Sequence, residues 1–208
     1  MATAAVRARY TPEQYLALER KAAYKSEYLH GRIYAMSGAS RAHNLIALNI
    51  GSELRAQLKG RPCETYVGDM RVQVSLTGLY TYPDVSVACD EIRFEDAHND
   101  TLLNPIVLIE VLAPSTEAYD RGDKFAHYRR LESLQEYVLI AQDKCRVERY
   151  LRQGDQWLLT EISDSDATLA MTTIACDIPL KEIYARVTFP EEPERESDGT
   201  QESRVLEP

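Results

Sequence analysis

Ile106-Val107-Leu108-Ile109-Glu110-Val111-Leu112 is a run of apolar residues with no alternation, broken only by one glutamate. A run of about this length with apolar side chains on both faces reads as a strand buried on two sides, the kind found at the centre of a covered sheet. Pro114 ends it, and Asp120 or a neighbour is placed to cap a helix running to about Glu132. Tyr137-Val138-Leu139-Ile140 then returns as a second apolar strand. Strand, helix and strand in that order form a βαβ crossover, which is parallel and right-handed.

Upstream, the polar stretch from Glu91 to Asn104 reads as a loop. Val72, Val74 and Leu76 alternate with polar residues, and Val85 and Val87 repeat the pattern after Pro83, so two strands of one antiparallel sheet are expected. Ile46, Ile50, Leu54 and Leu58 have helical spacing between a Ser40 cap and the Gly60 stop. Tyr28-Leu29 and Ile33-Tyr34 flank His30-Gly31, a tight hairpin with Glu27 at its start. Thr11, Pro12 and Gln14 form the capping box of a first helix from about Pro12 to Lys21. Downstream, Arg146 to Leu151 and Trp157 to Ile162 alternate as a meander around Gly154-Asp155. The pattern as a whole predicts an α/β (α+β) domain with a mixed sheet over residues 10–189. Residues 190–208 read as an acidic tail too poor in apolar residues to offset the entropy of ordering.

The chain has 208 residues and a formal net charge of −9. The tail holds seven acids against two arginines, −5 of that total, which leaves −4 for the rest. The net charge argues against a broadly basic face for non-specific phosphate binding, and the tail's share of it weakens that objection without removing it. The first nine residues lack the apolar core of a secretory signal, and no apolar run approaches the roughly 20 residues that cross a bilayer. Cys63, Cys89, Cys145 and Cys176 are widely spaced with no CxxC pair, which reads as four reduced thiols in a cytoplasmic protein.

Glu110 is the most informative residue, because an ionised carboxylate inside an apolar strand is costly unless a partner or a cation compensates it. Asp84 follows Pro83 at the start of a neighbouring strand, so two acids at adjacent strand ends can share one cation. Mg²⁺ suits such a pair, since it takes one or two carboxylates and fills its shell with water and phosphate oxygens. Lys124, at the start of the crossover helix, can reach back over the sheet to orient water and stabilise developing negative charge.

The ordered set Glu27-Tyr28-Leu29-His30-Gly31, His43, Tyr82-Pro83-Asp84-Val85-Ser86-Val87, Ile109-Glu110-Val111-Leu112-Ala113-Pro114-Ser115-Thr116, Asp120-Arg121-Gly122-Asp123-Lys124 and Glu136-Tyr137-Val138 resembles the Uma2 family. The resemblance covers roughly residues 10 to 185 and implies a restriction-endonuclease-like core of the PD-(D/E)XK type. It implies an endonuclease dependent on Mg²⁺ or Mn²⁺, acting on DNA as a homodimer. Asp84 and Glu110 are then the metal-binding acids and Glu27 an additional acid. His43 would touch substrate. In the general superfamily pattern the lysine lies two residues beyond the second acid, where this chain has Leu112, and Lys124 takes the role from the following helix.

A second reading is a non-catalytic binding module that keeps the fold and uses the acids for a structural cation, and the acidic balance favours it. Tyr128, Arg129 and Arg130 read as a solvated helix face, and the Ser115-Thr116 pair lacks the surroundings of a hydrolytic serine.

Overall fold

The computed structural model describes residues 9–190. Helix α1 (Pro12–Glu19) opens on the expected capping box, with Thr11 Oγ1 accepting from Gln14 N and Gln14 Oε1 accepting from Thr11 N. Strands β1 (Ser26–Leu29) and β2 (Arg32–Ala35) form the hairpin. His30 and Gly31 both take positive φ, 50° and 84°, the turn that matches strand twist. Helix α2 (Arg41–Gln57) starts where Ser40 Oγ accepts from His43 N at 3.0 Å.

Strands β3 (Cys63–Val67), β4 (Arg71–Val74), β5 (Leu79–Thr81), β6 (Val85–Cys89), β7 (Thr101–Leu102) and β8 (Val107–Leu112) follow. Helix α3 (Glu117–Tyr119), a π-helical turn (Asp120–Lys124) and helix α4 (Phe125–Tyr128) form the crossover to β9 (Glu136–Ala141). The meander β10 (Val147–Gln153) and β11 (Gln156–Ile162) turns at Gly154-Asp155 as expected. Strands β12 (Thr168–Met171) and β13 (Cys176–Pro179) and helix α5 (Leu180–Ile183) close the described chain.

The larger sheet runs β11-β10-β9-β8-β6-β3, with β8 and β9 parallel and the other pairs antiparallel. β8 is central and every one of its residues is buried. Val107, Ile109 and Val111 join the cluster that contains Ile46, Ile50 and Leu54 of α2, and Leu108 and Leu112 join Phe125 and Tyr128 of the crossover. Side chains alternate along a strand, so Glu110 emerges on the crossover side, where Lys124 is. The smaller sheet, β2-β1-β5-β4-β7, contributes Val72, Val74 and Leu79 to the same crossover-side cluster.

Four expectations are corrected. β4 and β6 lie in different sheets, because Leu79–Thr81 pairs with β4 and Pro83, which has no N–H to donate, separates that hairpin from β6. β4 stops at Val74, whose carbonyl accepts from both Thr77 N and Gly78 N, and Leu76 is left exposed. The crossover helix ends at Tyr128 and contains a π turn, and Asp120 is buried within it instead of capping it. Cys63 and Cys89 are directly paired residues of β3 and β6 and form a disulfide, while Cys145 and Cys176 are free. The pairing was invisible because β3 gave no sequence signal and the antiparallel register alone joins residues 26 apart. The two-stranded β12-β13 element was also unforeseen. Among the described residues, no helix is long and apolar enough to cross a membrane. The acidic stretch after Pro190 lies outside the described residues.

Candidate active site

Pairing between β6 and β8 ends at Val85↔Ile109, so one further step along the same antiparallel register sets Asp84 opposite Glu110. Asp84 Oδ2 accepts a 2.7 Å hydrogen bond from Val111 N, which ties this acid to the residue after Glu110. His43, from the first turn of α2, brings Nε2 to 3.2 Å from the same oxygen. The Ser40 cap explains why His43 is there, since it fixes where α2 begins.

Lys124 Nζ lies 2.9 Å from Glu110 Oε1, 3.3 Å from Asp120 Oδ1 and 3.5 Å from Glu27 Oε1. Glu27 comes from β1 and is held by a hydrogen bond from Thr81 Oγ1 of β5. The smaller sheet therefore delivers one acid, the larger sheet two, and the crossover helix both the lysine and Asp120. Tyr128 OH donates to Glu110 Oε1 at 2.8 Å. The π turn is part of this arrangement: Asp120 and Lys124 are both nearly fully buried and aimed at the sheet, and π insertions recur at functional sites.

The structure thus brings Glu27, His43, Asp84, Glu110 and Lys124 into one open cleft of about 1160 Å³. Asp120 and Tyr128 escaped the sequence reading. Their signal was the four-residue spacing Asp120, Lys124, Tyr128, which marks one inward helix face. Tyr128, expected on a solvated face, is fully buried.

Burial, together with the charges of Asp120 and Asp84, raises the Glu110 carboxyl to about 8 against the pull of Lys124. Burial also raises Asp120. For Lys124, burial works against the charged form, but Glu110, Glu27 and Asp120 outweigh it and hold the ammonium well above its ordinary value. Burial raises the Tyr128 phenol well above its ordinary value too, so it is a donor at neutral pH. Five acids line the cleft (Glu27, Asp84, Glu110, Asp120, Asp143) against the cations Lys25, Arg41 and Lys124.

That shortage of positive charge and the all-oxygen donor set fit a hard divalent cation. Among the described residues no three His, Cys, Asp or Glu side chains are grouped as a metal cage. A pair of carboxylates with room for water and a phosphate is the arrangement Mg²⁺ or Mn²⁺ accepts and Zn²⁺ does not favour. The closest approaches of Lys124 and Tyr128 to Glu110 both fall on Oε1, and Val111 and His43 both address Asp84 Oδ2. None of these contacts falls on Glu110 Oε2 or Asp84 Oδ1.

Two proteins of Synechocystis sp. (strain ATCC 27184 / PCC 6803 / Kazusa) are similar to this chain. The uncharacterized protein sll1609 is 39% identical over 160 residues, 76% of this chain and 90% of its own length. The uncharacterized protein slr1290 is 36% identical over 181 residues, 86% and 93% of the respective lengths. A crystal structure described as a putative nuclease belonging to DUF820, from Anabaena variabilis ATCC 29413, superposes with a TM-score of 0.67. It is 21% identical and covers 83% of this chain and 96% of its own, a likeness that shows the fold, the restriction-endonuclease-like one. The profile of the Uma2 family, described as "Putative restriction endonuclease", matches residues 12–180. With the profile spanning most of the sequence and the two relatives aligned along it, this chain belongs to the Uma2 family.

Proposed function

We propose that the protein is a metal-dependent nuclease that hydrolyses phosphodiester bonds of DNA and works as a homodimer. The observation that carries the reading is the convergence of Lys124, Glu110, Asp84 and Glu27 on one open cleft. A binding module has no reason to bury an ammonium among acids at the floor of a cleft open to substrate. The family description and the neighbour's name support nuclease chemistry. Mg²⁺ or Mn²⁺ bound to Glu110 and Asp84 supplies Lewis acidity to a phosphoryl oxygen and a more acidic water.

The chain's own groups do the rest. Asp84, in the lining of the cleft, has its carboxylate oriented by Val111 N and His43 through one oxygen, which leaves the other for the cation. Lys124, kept charged by Glu110, Glu27 and Asp120, aims a donor at the anionic oxygens of the phosphate or at the attacking water. Glu27, hydrogen-bonded by Thr81, holds the ammonium from the smaller sheet and limits its swing. His43 stands at the wall of the cleft within reach of a phosphate oxygen.

The test is cleavage of supercoiled plasmid and of single-stranded DNA with Mg²⁺ or Mn²⁺, comparing the wild type with Glu110→Ala and Asp84→Ala at matched folding. Metal-dependent nicking lost in both variants is expected. Absence of nicking, or nicking indifferent to both substitutions, overturns the reading in favour of a non-catalytic module.

A further inference from the structure

Tyr34 is paired directly with Glu27 across the β1-β2 hairpin, so its side chain leaves the same face of the ribbon as that acid of the centre. β2 is the edge strand of its sheet, and the ring is 48% exposed. Among the described residues, nine large hydrophobic side chains are exposed, and Tyr34 is the one of these that lines the cleft. The others lie outside the cleft, Tyr10, Leu18 and Tyr24 around a second cavity on the α1 side that Tyr34 also borders. An exposed ring at the rim of the cleft does nothing for the core.

The charges at that rim are informative. Lys124 is buried at the floor of the cleft beside three carboxylates, which leaves Lys25 and Arg41 as the cations of the lining nearer solvent. Lys25 Nζ donates to the Gly68 carbonyl at 2.9 Å and lies 3.0 Å from Asp69, whose carboxylate is 89% exposed and so a weak, readily exchanged partner, which leaves the ammonium donors for a phosphate. Arg41 is exposed at the start of α2 and also lines the cleft. A duplex presents about one phosphate per 1.7 Å of axis and is held chiefly by many such cations. Two cations on an acidic rim are too few for that mode of binding. They suffice to flank a single backbone, provided another interaction supplies affinity, and a base stacked on an aromatic ring is such an interaction.

We propose that the cleft takes an unpaired nucleic-acid strand, with a base beside the scissile phosphate stacked on Tyr34 and the backbone passing between Lys25 and Arg41. This rests on the nuclease reading and specifies its substrate class. Tyr34 acts by positioning the strand. A base whose pairing is intact cannot offer its face to the ring, so duplex regions are discriminated against at this position.

The experiment uses a single-stranded oligonucleotide carrying one 2-aminopurine and a duplex of the same sequence. Binding is read by anisotropy and by 2-aminopurine quenching on the full chain with Glu110→Gln, which keeps the DNA intact. Cleavage is followed in parallel with unmodified Glu110. Added to each background are Tyr34→Ala, Tyr34→Trp and, as a control outside the cleft, Tyr24→Ala. The single strand is expected to bind more tightly than the duplex. Tyr34→Ala should lose roughly tenfold of that affinity, the order of one stacked base, and the quenching with it. Tyr34→Trp should keep both, and Tyr24→Ala should change neither. If DNA is cut but duplex binds as well as single strand, or Tyr34→Ala leaves affinity and quenching intact, the strand proposal falls and the nuclease reading stands. If the chain cuts and binds neither form, both fall.

Discussion

Asp84 Oδ2 accepts a hydrogen bond from Val111 N, so the first acid of the centre is fastened to the backbone next to the second. The bond does two jobs, satisfying an N–H in the middle of a buried strand and fixing the carboxylate relative to Glu110. The two are separable. Asp84→Ala leaves the Val111 N–H without this acceptor and should cost about 1–3 kcal/mol. Asp84→Asn keeps an acceptor oxygen and should cost less than half as much. Both should abolish metal-dependent cleavage. Urea denaturation of the three proteins, with cleavage assayed alongside, checks it, and equal stability losses would mean the hydrogen bond contributes nothing.

Lys124 compensates three carboxylates at once. Lys124→Ala should therefore destabilise the fold strongly, by about 3–5 kcal/mol, because it leaves buried acids unpaired. Adding Glu110→Ala to that variant should recover part of the loss, since one of the stranded buried acids is removed. A double-mutant cycle by equilibrium denaturation reads this coupling directly. Strict additivity would show that the ammonium and Glu110 do not interact energetically.

Because the cleft carries more acids than cations, Mg²⁺ or Mn²⁺ should stabilise the folded chain. At a free concentration about a hundred times Kd the gain is about 2.7 kcal/mol, or several degrees in Tm for a chain of this size. Glu110→Ala and Asp84→Ala should each remove the shift. Thermal melts with metal and with chelator test it independently of activity.

On the smaller sheet, Arg20 Nε lies 2.7 Å from Asp100 Oδ2, and the buried Arg71 lies 3.0 Å from Asp100 Oδ1. The hydrogen bond from Arg20, reinforced by the charges of Arg71 and Arg20, holds the Asp100 carboxyl well below its ordinary range despite partial burial. A carboxyl depressed on folding adds stability that is complete above its unfolded value, about 3.9, and is lost as pH falls through the lower folded value. Asp100→Asn should thus be destabilised by about 1 kcal/mol at pH 7, a figure discounted for solvent screening. The gap should begin to narrow below about pH 4. A gap that closes near pH 6 would point to a different group.

The Cys63–Cys89 disulfide joins paired residues of β3 and β6 across a separation of 26. Closing a loop of that size removes unfolded-state entropy worth about 3 kcal/mol in the chain-entropy account. Cys63→Ser with Cys89→Ser, or reduction of the wild type, should lower stability by that order. The centre, built from β1, β6, β8 and the crossover, should keep its activity. Thiol titration with and without reductant, followed by denaturation, decides it.

Much of this protein is written locally. The capping box at Thr11, the His30-Gly31 turn, the Ser40 cap and the meander at Gly154 are short-range chemistry, each legible within a few residues. The apolar run around Glu110 is as local, and it determined both the central strand and the residue that needed compensation, since burial on two faces excludes water from a carboxylate. What compensates it is not local. Tertiary structure alone brings Glu27 from one sheet to Lys124 on the crossover of the other, seats Asp120 and Tyr128 inward through a π turn, and sets His43 against Asp84. It alone splits β4 from β6 and joins Cys63 to Cys89. The reason is physical: caps and turns depend on φ, ψ and neighbours within one turn of chain, whereas a buried charge is paired with whichever group the packing of distant elements carries to it.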